Sequence, residues 1–174
     1  NSILVNNVLC NGDSTGSVIV FLDSIGVYSI PPFTYVWMNN LVDTLRIDNN
    51  MMGNSFYGGL PAGIYSISLI DANGCSVIDN FEILENPAIN FSVGPDIVIP
   101  CGTDTVLSAG QVSGGANFID ANYSYMWQPT GSTADTTVAY PGTTPTAYIL
   151  TVTDTVGCSV SDTVNVSWDL YILN

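Results

Sequence analysis

Apolar and polar residues alternate along short segments of this chain, and no segment repeats apolar residues at a helical spacing. Such alternation buries one face of a β-strand. It is clearest in two segments, whose inward-facing residues would be Tyr65, Ile67 and Leu69, and Tyr148, Leu150 and Val152. Clusters of Gly, Pro, Asn and Asp separate the segments and indicate turns. The pattern predicts strands at Ser17–Leu22, Phe33–Trp37, Ile64–Ile70, Cys75–Ile83, Thr105–Ser108, Tyr123–Trp127, Ala147–Thr153 and Ser159–Ser167.

The chain contains an internal repeat with a period of about 90 residues, the size of one small sandwich. Cys, Trp, Tyr, Asp and Gly-Cys recur in the same order and at nearly the same spacings in both halves. A segment containing Pro87 separates the halves. The repeat therefore predicts an all-β chain of two tandem immunoglobulin-like β-sandwich domains, at residues 1–88 and 89–169.

The four cysteines occupy equivalent positions in the two halves, and four cysteines allow three pairings. The repeat favours Cys10–Cys75 and Cys101–Cys158, which gives one intradomain disulfide per domain. Each would close a loop of about 60 residues and contribute roughly 4 kcal/mol to stability. Four free buried thiols are the alternative, and zinc is disfavoured because the chain has no CxxC pair and no His. Disulfides imply an oxidising compartment, and hence export.

The repeated aromatic residues have two interpretations. Trp37 and Trp127 could stack on sugar rings, or they could anchor the core as the Trp of an immunoglobulin-like sandwich does. The second interpretation is favoured because each Trp lies at the same place in an aromatic strand of its repeat. The residues predicted as core scaffold are Trp37, Trp127, Tyr65 and Tyr148.

Charge excludes several classes of function. Fifteen acidic residues face a single basic one, Arg46, and the net charge is −14. Such a chain repels phosphate backbones and anionic lipid surfaces, so we expect neither nucleic-acid binding nor binding to anionic membranes. No apolar run approaches 18 residues, so we expect no membrane insertion. Without His or Lys, a Ser nucleophile would lack its usual base, and the carboxylates are scattered among turns. We predict no catalytic residues and no enzymatic activity.

Calcium is the one ion whose ligands are present at a suggestive spacing. Asp71 and Asn73 could supply oxygen ligands, although neither their loop nor the segment from Asp43 to Asn50 matches an EF-hand. The favoured alternative is that Asp71 and its repeat equivalent Asp154 cap tight turns. No other cofactor is predicted.

Five motifs of the first half occur together: Cys10-Asn-Gly, Gly16-Ser-Val-Ile-Val, Pro32–Trp37, Leu60–Tyr65 and Asp71–Cys75. In this combination the first half resembles the SprB-type repeat of Bacteroidota cell-surface proteins. The second half resembles the PKD-like (polycystic-kidney-disease-type) sandwich, through Pro100-Cys-Gly, Tyr123–Pro129, and Tyr148–Asp154 with Gly157-Cys158.

The last residues, Asp169–Asn174, resemble the opening of the C-terminal sorting domain of type IX secretion, although that family typically has Pro where this chain has Leu173. Residues 170–174 are therefore interpreted as the start of such a domain. The resemblances imply a large adhesin or gliding-motility protein, exported by the type IX secretion machinery to the bacterial cell surface. They also imply neighbouring modules of the same polypeptide as partners.

Seven Asp residues open triplets of Asp, Ser or Thr, and a small or aliphatic residue or Thr. Asp followed by Ser or Thr is common in turns and at strand starts, where short side chains bond the backbone. The triplets also resemble the O-glycosylation sequon of exported Bacteroidota proteins, and Ser24, Thr44 and Thr136 are the best candidates because we expect them in loops. The full set of candidate acceptors is Ser14, Ser24, Thr44, Thr105, Thr136, Thr155 and Thr163.

The leading interpretation is a non-catalytic stalk or spacer within a secreted adhesin. A carbohydrate-binding module of a polysaccharide-degrading enzyme is one alternative, with surface polysaccharide as its partner. A docking surface for the secretion or motility machinery is another. Sugar binding would require a row of exposed aromatic side chains on one face, drawn from Tyr28, Phe56, Tyr57, Phe118 and Tyr140.

Overall fold

The computed structural model describes residues 2–22, 29–40, 42–116 and 122–169. All regular elements in these ranges are strands, which confirms the all-β fold class. The chain divides into two compact units, Asn1–Asn86 (unit 1) and Pro87–Asn174 (unit 2). The predictions for Ser24, Tyr28, Phe118 and residues 170–174 lie outside the described residues.

Unit 1 is built from antiparallel strands in two sheets. Its described strands are Ser2–Asn6 (β1), Gly16–Phe21 (β2), Phe33–Asn39 (β3), Asp43–Met51 (β4), Ser55–Leu60 (β5), Gly63–Ile70 (β6) and Ser76–Ile83 (β7). One sheet has the order β1-β2-β5 and the other the order β4-β3-β6-β7.

The core of unit 1 follows the period-two pattern of its strands. Alternate residues of β2 and β3 are buried, and Trp37 is 1% exposed at the centre of the cluster. The Trp37 ring packs edge-on against Phe81 and Tyr57, with ring centroids 6.3 and 5.5 Å away. Tyr65 is also buried and stacks on Phe81. The aromatic cluster ties both sheets of the unit together.

Unit 2 also has two sheets. Its described strands are Ile97–Pro100 (β8), Thr105–Ser108 (β9), Ser124–Gln128 (β10), Thr136–Ala139 (β11), Thr146–Thr153 (β12) and Ser159–Asp169 (β13). The larger sheet has the order β10-β12-β13-β8, and β11 pairs with β9 in the smaller one. Trp127 and Leu150 are fully buried, and Tyr148 is 3% exposed. The Trp127 indole nitrogen donates a hydrogen bond to the Ala134 carbonyl oxygen at 3.2 Å.

In both units the first and last parts of the chain run in the same direction. In unit 1, Val8 forms a parallel bridge with Glu85, and its N–H donates to the Leu84 carbonyl oxygen at 2.9 Å. In unit 2, β8 is parallel to β13, from Ile97 opposite Val166 onward. The chain therefore enters each unit at one end and leaves at the other. We call the end where the last strand begins the upstream pole, and the end where it finishes the downstream pole.

The sequence predicts eight of the described strands within two or three residues at each end, and it misses β1, β4, β5, β8 and β11. Most residues of β4 are exposed, so this edge strand has no buried stripe to detect. β5 contains Gly58 and Gly59, which indicate a turn when read from sequence alone. β8 and β11 are each only four residues long. These strands form because a neighbouring strand pairs with them, and their own composition gives little sign of it.

The burial of unit 2 leads to a stability prediction. Leu150→Ala should lower the free energy of unfolding by about 2–5 kcal/mol, because it opens a cavity at a fully buried position. Val160→Ala, on the neighbouring strand at a site 44% exposed, should change it by less than about 0.5 kcal/mol. Urea unfolding followed by Trp fluorescence measures both variants, and equal losses would contradict this packing.

Candidate functional site: the cysteine-bearing poles

The two cysteines of unit 1 lie at opposite ends of its last strand. Cys75 directly precedes β7, at the upstream pole. The residues on either side of Cys10 are held at the far end of β7: the Asn86 side chain donates to the Leu9 carbonyl oxygen at 2.7 Å, and the Asn11 side chain donates to the Asn86 carbonyl oxygen at 3.2 Å. Cys10 therefore lies at the downstream pole.

Unit 2 repeats this arrangement. Cys158 directly precedes β13, at the upstream pole. Cys101 follows Pro100, which lies opposite Asp169 at the far end of β13. Each unit thus has one cysteine at its upstream pole and one at its downstream pole, as the sequence repeat requires.

Neither predicted intradomain disulfide, Cys10–Cys75 or Cys101–Cys158, is formed. The last strand has eight residues in unit 1 and eleven in unit 2, so at 3.3 Å per residue it spaces the two cysteines of a unit by roughly 26 Å or more. A disulfide requires Cα atoms closer than about 7 Å. In the structure Cys75 and Cys101 are free and exposed, whereas Cys10 and Cys158 are disulfide-bonded.

The two upstream cysteines belong to the same turn, repeated bond for bond. In unit 1, Asp71 Oδ1 accepts hydrogen bonds from the N–H groups of Asn73 (2.9 Å) and Cys75 (2.8 Å). The Gly74 N–H donates to the Asp71 carbonyl oxygen at 3.0 Å. Asp71 thus caps a tight turn, which is the alternative favoured over calcium binding.

In unit 2, Asp154 Oδ1 accepts from the N–H groups of Val156 (3.0 Å) and Cys158 (2.9 Å), and the Gly157 N–H donates to the Asp154 carbonyl oxygen at 3.2 Å. The same local sequence, Asp-x-x-Gly-Cys, therefore positions both upstream cysteines in the same way.

The two turns differ in what covers them. Asp154 is 6% exposed, and its Oδ2 accepts a further hydrogen bond from the Ala116 N–H at 2.9 Å. Burial raises the pKa of Asp154, but the N–H groups of Ala116, Cys158 and Val156 outweigh this effect and hold its pKa below the usual range. Cys158 is buried, whereas Cys75 is exposed.

Two glycines make this close cover possible in unit 2. Gly114 and Gly115 have φ angles of +85° and +68°, a region that other residues rarely adopt. A Cβ atom on Gly115 would lie 2.8 Å from Asp154 Oδ2, and one on Gly114 would lie 1.9 Å from the Ala88 carbonyl oxygen. The Gly114-Gly115 pair is the sequence signal for this close approach, which the alternation of apolar and polar residues does not reveal.

In unit 1 the corresponding upstream turn borders a cavity of about 140 Å³. Its lining is mainly apolar, from Phe33, Leu69 and Val77, and it includes both Cys75 and Asp71. The exposed thiol therefore lies beside an apolar depression. No single sequence segment indicates this cavity, because its lining combines residues from three strands.

Arg46, the only basic residue, makes its contacts with residues of its own unit. Its Nε donates to Asp48 Oδ1 at 2.6 Å, its guanidinium lies 5.3 Å from the centre of the Tyr57 ring, and an Nη donates to the Phe56 carbonyl oxygen. Asp48 also accepts from the Trp37 indole at 3.1 Å. Burial raises the pKa of Asp48. The hydrogen bonds from Ser55, Trp37 and Arg46, together with the charge of Arg46, outweigh this effect and hold the pKa of Asp48 below its usual range.

The described aromatic candidates for sugar binding do not form a row. Phe56 is 55% exposed, but Tyr57 follows it directly in β5 and therefore faces the other side of the sheet, where it packs on Trp37. Tyr140 belongs to unit 2 and packs edge-on against Trp168, with ring centroids 5.1 Å apart.

The described carboxylates do not gather into a site. Within residues 2–22, 29–40, 42–116 and 122–169, no group of three or more His, Cys, Asp or Glu side chains could hold a metal ion. Several of the carboxylates serve the fold instead, accepting hydrogen bonds within their own unit: Asp48, Asp71, Asp96, Asp154 and Asp162. The described part of the chain also contains no helix long and apolar enough to cross a membrane.

The candidate glycosylation residues occupy varied positions. Ser14 and Thr155 are exposed and lie between strands. Thr44 and Thr136 were expected in loops but lie at the starts of β4 and β11, because each begins an edge pairing that the sequence pattern does not reveal. Thr105 begins β9 and is half-buried, and Thr163 is exposed within β13.

No protein-family model matches this chain, and no curated protein sequence matches it. Among solved structures it is similar to DIP-gamma IG1+IG2, with 12% identity over 98% of this chain and 99% of that chain and a TM-score of 0.44. It is also similar to the fibronectin(III)-like modules of Clostridium thermocellum CbhA (7% identity, 99% and 100% coverage, TM-score 0.35) and to murine CEACAM1b (8%, 97% and 100%, 0.34). At these values the likeness carries no argument about function. The SprB-type and PKD-like resemblances therefore remain predictions.

The difference between the two turns predicts a pH dependence. Asp154→Asn should lower the stability of unit 2 by about 1–3 kcal/mol at neutral pH, because the amide nitrogen cannot accept the Ala116 hydrogen bond. A lowered folded-state pKa stabilises above the unfolded value and loses this effect as pH falls through the folded value. The deficit of the variant should therefore shrink below pH 3.8, the usual pKa of Asp.

Asp71→Asn is the matched control, since it alters the same turn at a position that is only half-buried. It should lower the free energy of unfolding by less than the Asp154 substitution does at neutral pH. Urea unfolding between pH 2.5 and 7 measures both variants, and a deficit of Asp154→Asn that stays constant over this range would contradict the assignment.

Proposed function

We propose that the chain comprises two stalk modules of a secreted bacterial surface protein, non-catalytic and joined in series with further modules. The observation that carries this proposal is the parallel course of the first and last parts of each unit. A unit whose chain enters at one pole and leaves at the other adds its whole length to a linear array. The last strand of unit 2 alone, at eleven residues, spans about 36 Å.

The same geometry suits a structure under tension. When the ends of unit 2 are pulled apart, β8 moves toward the upstream pole and β13 toward the downstream pole. The hydrogen bonds between them are then loaded together in shear rather than one at a time. In unit 1 the contacts of Val8 with Leu84 and Glu85 have the same orientation. Stalks of surface adhesins must carry such loads.

Two side chains extend the shear contact in unit 2. Asp96, just before β8, accepts from the Asn165 N–H at 2.8 Å and from the Asn165 side-chain amide at 3.1 and 3.2 Å. These donors hold the pKa of Asp96 below its usual range. Further upstream, Asp162 accepts from the Val93 N–H at 3.0 Å. The incoming segment is thus fastened to β13 beyond the four residues of β8.

Composition and cysteine chemistry support a place outside the cell. The disulfide-bonded state of Cys10 and Cys158 suits an oxidising environment. The resemblances to SprB-type and PKD-like modules, and of residues 170–174 to a sorting domain, supply the finer part of the proposal. They point to an adhesin or gliding-motility protein of Bacteroidota, exported by type IX secretion. Sugar binding is less well supported, because the described aromatic residues are scattered.

Force spectroscopy tests the stalk proposal. The chain is held by its two ends under reducing conditions, so that disulfides do not limit its extension. Asp96→Ala should move one of the two unfolding steps to lower force, because it removes three hydrogen bonds that resist shear. Asp104→Ala, at an exposed Asp of the same unit, is the control and should leave both steps unchanged. Unfolding steps that do not respond to Asp96→Ala would contradict a load-bearing contact.

Glycosylation is a separate part of the proposal. Ser14 and Thr155 best fit acceptor sites, because both are exposed and lie between strands. Protein from a type IX-secreting host should be heavier than protein from a cytoplasmic expression host, and Ser14→Ala with Thr155→Ala should remove the excess. Intact-mass spectrometry measures the difference, and equal masses from the two hosts would count against glycosylation.

A further inference from the structure

We infer that the two free cysteines join modules head to tail, so that the downstream cysteine of one module forms a disulfide with the upstream cysteine of another. In this chain Cys75 is the free upstream thiol and Cys101 the free downstream thiol. A second copy of this chain supplies the partner module. The inference deepens the proposed stalk function by adding a covalent link to the array.

The internal repeat provides the first argument. Each free cysteine has an equivalent in the other unit that is disulfide-bonded: Cys158 corresponds to Cys75, and Cys10 corresponds to Cys101. The correspondence extends to the hydrogen bonds, since Cys75 and Cys158 each donate an N–H to the Asp that opens the turn, at 2.8 and 2.9 Å. The same turn therefore presents a thiol that is bonded in one unit and free in the other.

The downstream cysteines also lie in short turns, Cys10 as the first residue of its turn and Cys101 as the second residue of its turn. The Asp13 N–H donates to the Cys10 carbonyl oxygen at 3.1 Å, and the Thr103 N–H donates to the Pro100 carbonyl oxygen at 3.1 Å. The third residue of each turn, Gly12 in unit 1 and Gly102 in unit 2, has a φ close to +80°. Both downstream cysteines thus belong to a short turn at the pole where the chain leaves the unit.

Shape and polarity favour pairing of unlike poles. The upstream pole of unit 1 has the cavity of about 140 Å³ lined by Phe33, Leu69 and Val77, with Cys75 on its wall. At the downstream poles, the residue before the cysteine is apolar and exposed in both units: Leu9 in unit 1 and Pro100 in unit 2. An apolar side chain beside one thiol can therefore enter an apolar cavity beside the other. Two like poles offer no such match.

The bond forms by thiol–disulfide exchange with a disulfide oxidant of the glutathione class. The Cys75 thiolate attacks the oxidant and forms a mixed disulfide, releasing one glutathione thiolate. The Cys101 thiolate of the second copy then attacks the Cys75 sulfur and releases the second. The two protein thiols lose two electrons and two protons, and the oxidant is reduced to two thiols.

A mixing experiment tests the polarity. Cys75→Ser keeps only the downstream free thiol, and Cys101→Ser keeps only the upstream one. The first variant is labelled with ¹⁵N, so that the three covalent dimers differ in mass. The two are mixed in equal amounts in a buffer of oxidised and reduced glutathione at 150 mM salt. Protein at about 1 mM approaches the effective concentration of linked modules.

The inference expects the mixed dimer to exceed the two homodimers combined by about tenfold or more. Random pairing would make the mixed dimer one half of the total. A share near one half, or no covalent dimer, would overturn the inference. Thermal unfolding of each variant first verifies that both are folded.

A second pair of variants tests the cavity. Val77 lines it and is 49% exposed, whereas Ile78 is 55% exposed on the opposite face of the same strand. Val77→Asp in the Cys101→Ser background should reduce the mixed-dimer excess at least fivefold, and Ile78→Asp should not. Equal effects would contradict the role of the cavity. Since force spectroscopy tests the shear contacts alone, either proposal can fail without the other.

Discussion

The alignment of the first and last parts of the chain within each unit is the constraint on which the other features depend. In unit 2 it consists of the parallel β8–β13 pair, and in unit 1 of the contacts of Val8 with Leu84 and Glu85. It gives each unit two distinct poles, with the chain arriving at one and departing from the other. It also determines where the cysteines lie, because each borders one end of the last strand. Direction, load path and thiol position therefore have a single structural origin.

The two Asp-x-x-Gly-Cys turns illustrate how surroundings change the behaviour of one local structure. Their internal hydrogen bonds are the same, so the sequence of the turn determines its shape in both units. In unit 2, Gly114 and Gly115 let the backbone approach closely enough for the Ala116 N–H to reach Asp154. That contact lowers the pKa of the Asp154 carboxyl group, and the neighbouring disulfide-bonded Cys158 is buried. In unit 1 the turn borders an open cavity instead.

Sequence patterns predict the all-β class and the central strands well, because alternation reports burial directly. Tyr65, Ile67 and Leu69 are buried as that pattern indicates, and so are their counterparts in β12. The pattern fails for β4, whose position depends on pairing with β3 rather than on a buried face. It also fails for the cysteines, because a repeat of two cysteines per unit is equally compatible with pairing inside or between repeats. Pairing inside a unit is ruled out because its two cysteines lie at opposite ends of the last strand. Spacing along the sequence does not reveal this placement.

The contacts that Arg46 makes within its own unit affect how neighbouring chains would interact side by side. With its one basic side chain held against Asp48 and the Tyr57 ring, each chain presents an outer surface whose charge is almost entirely negative. Neighbouring chains would then behave as a polyelectrolyte brush, whose members repel one another laterally over roughly 8 Å at physiological salt and over longer distances in fresh water. Such repulsion would keep a dense layer upright and separated without any rigid support between its members.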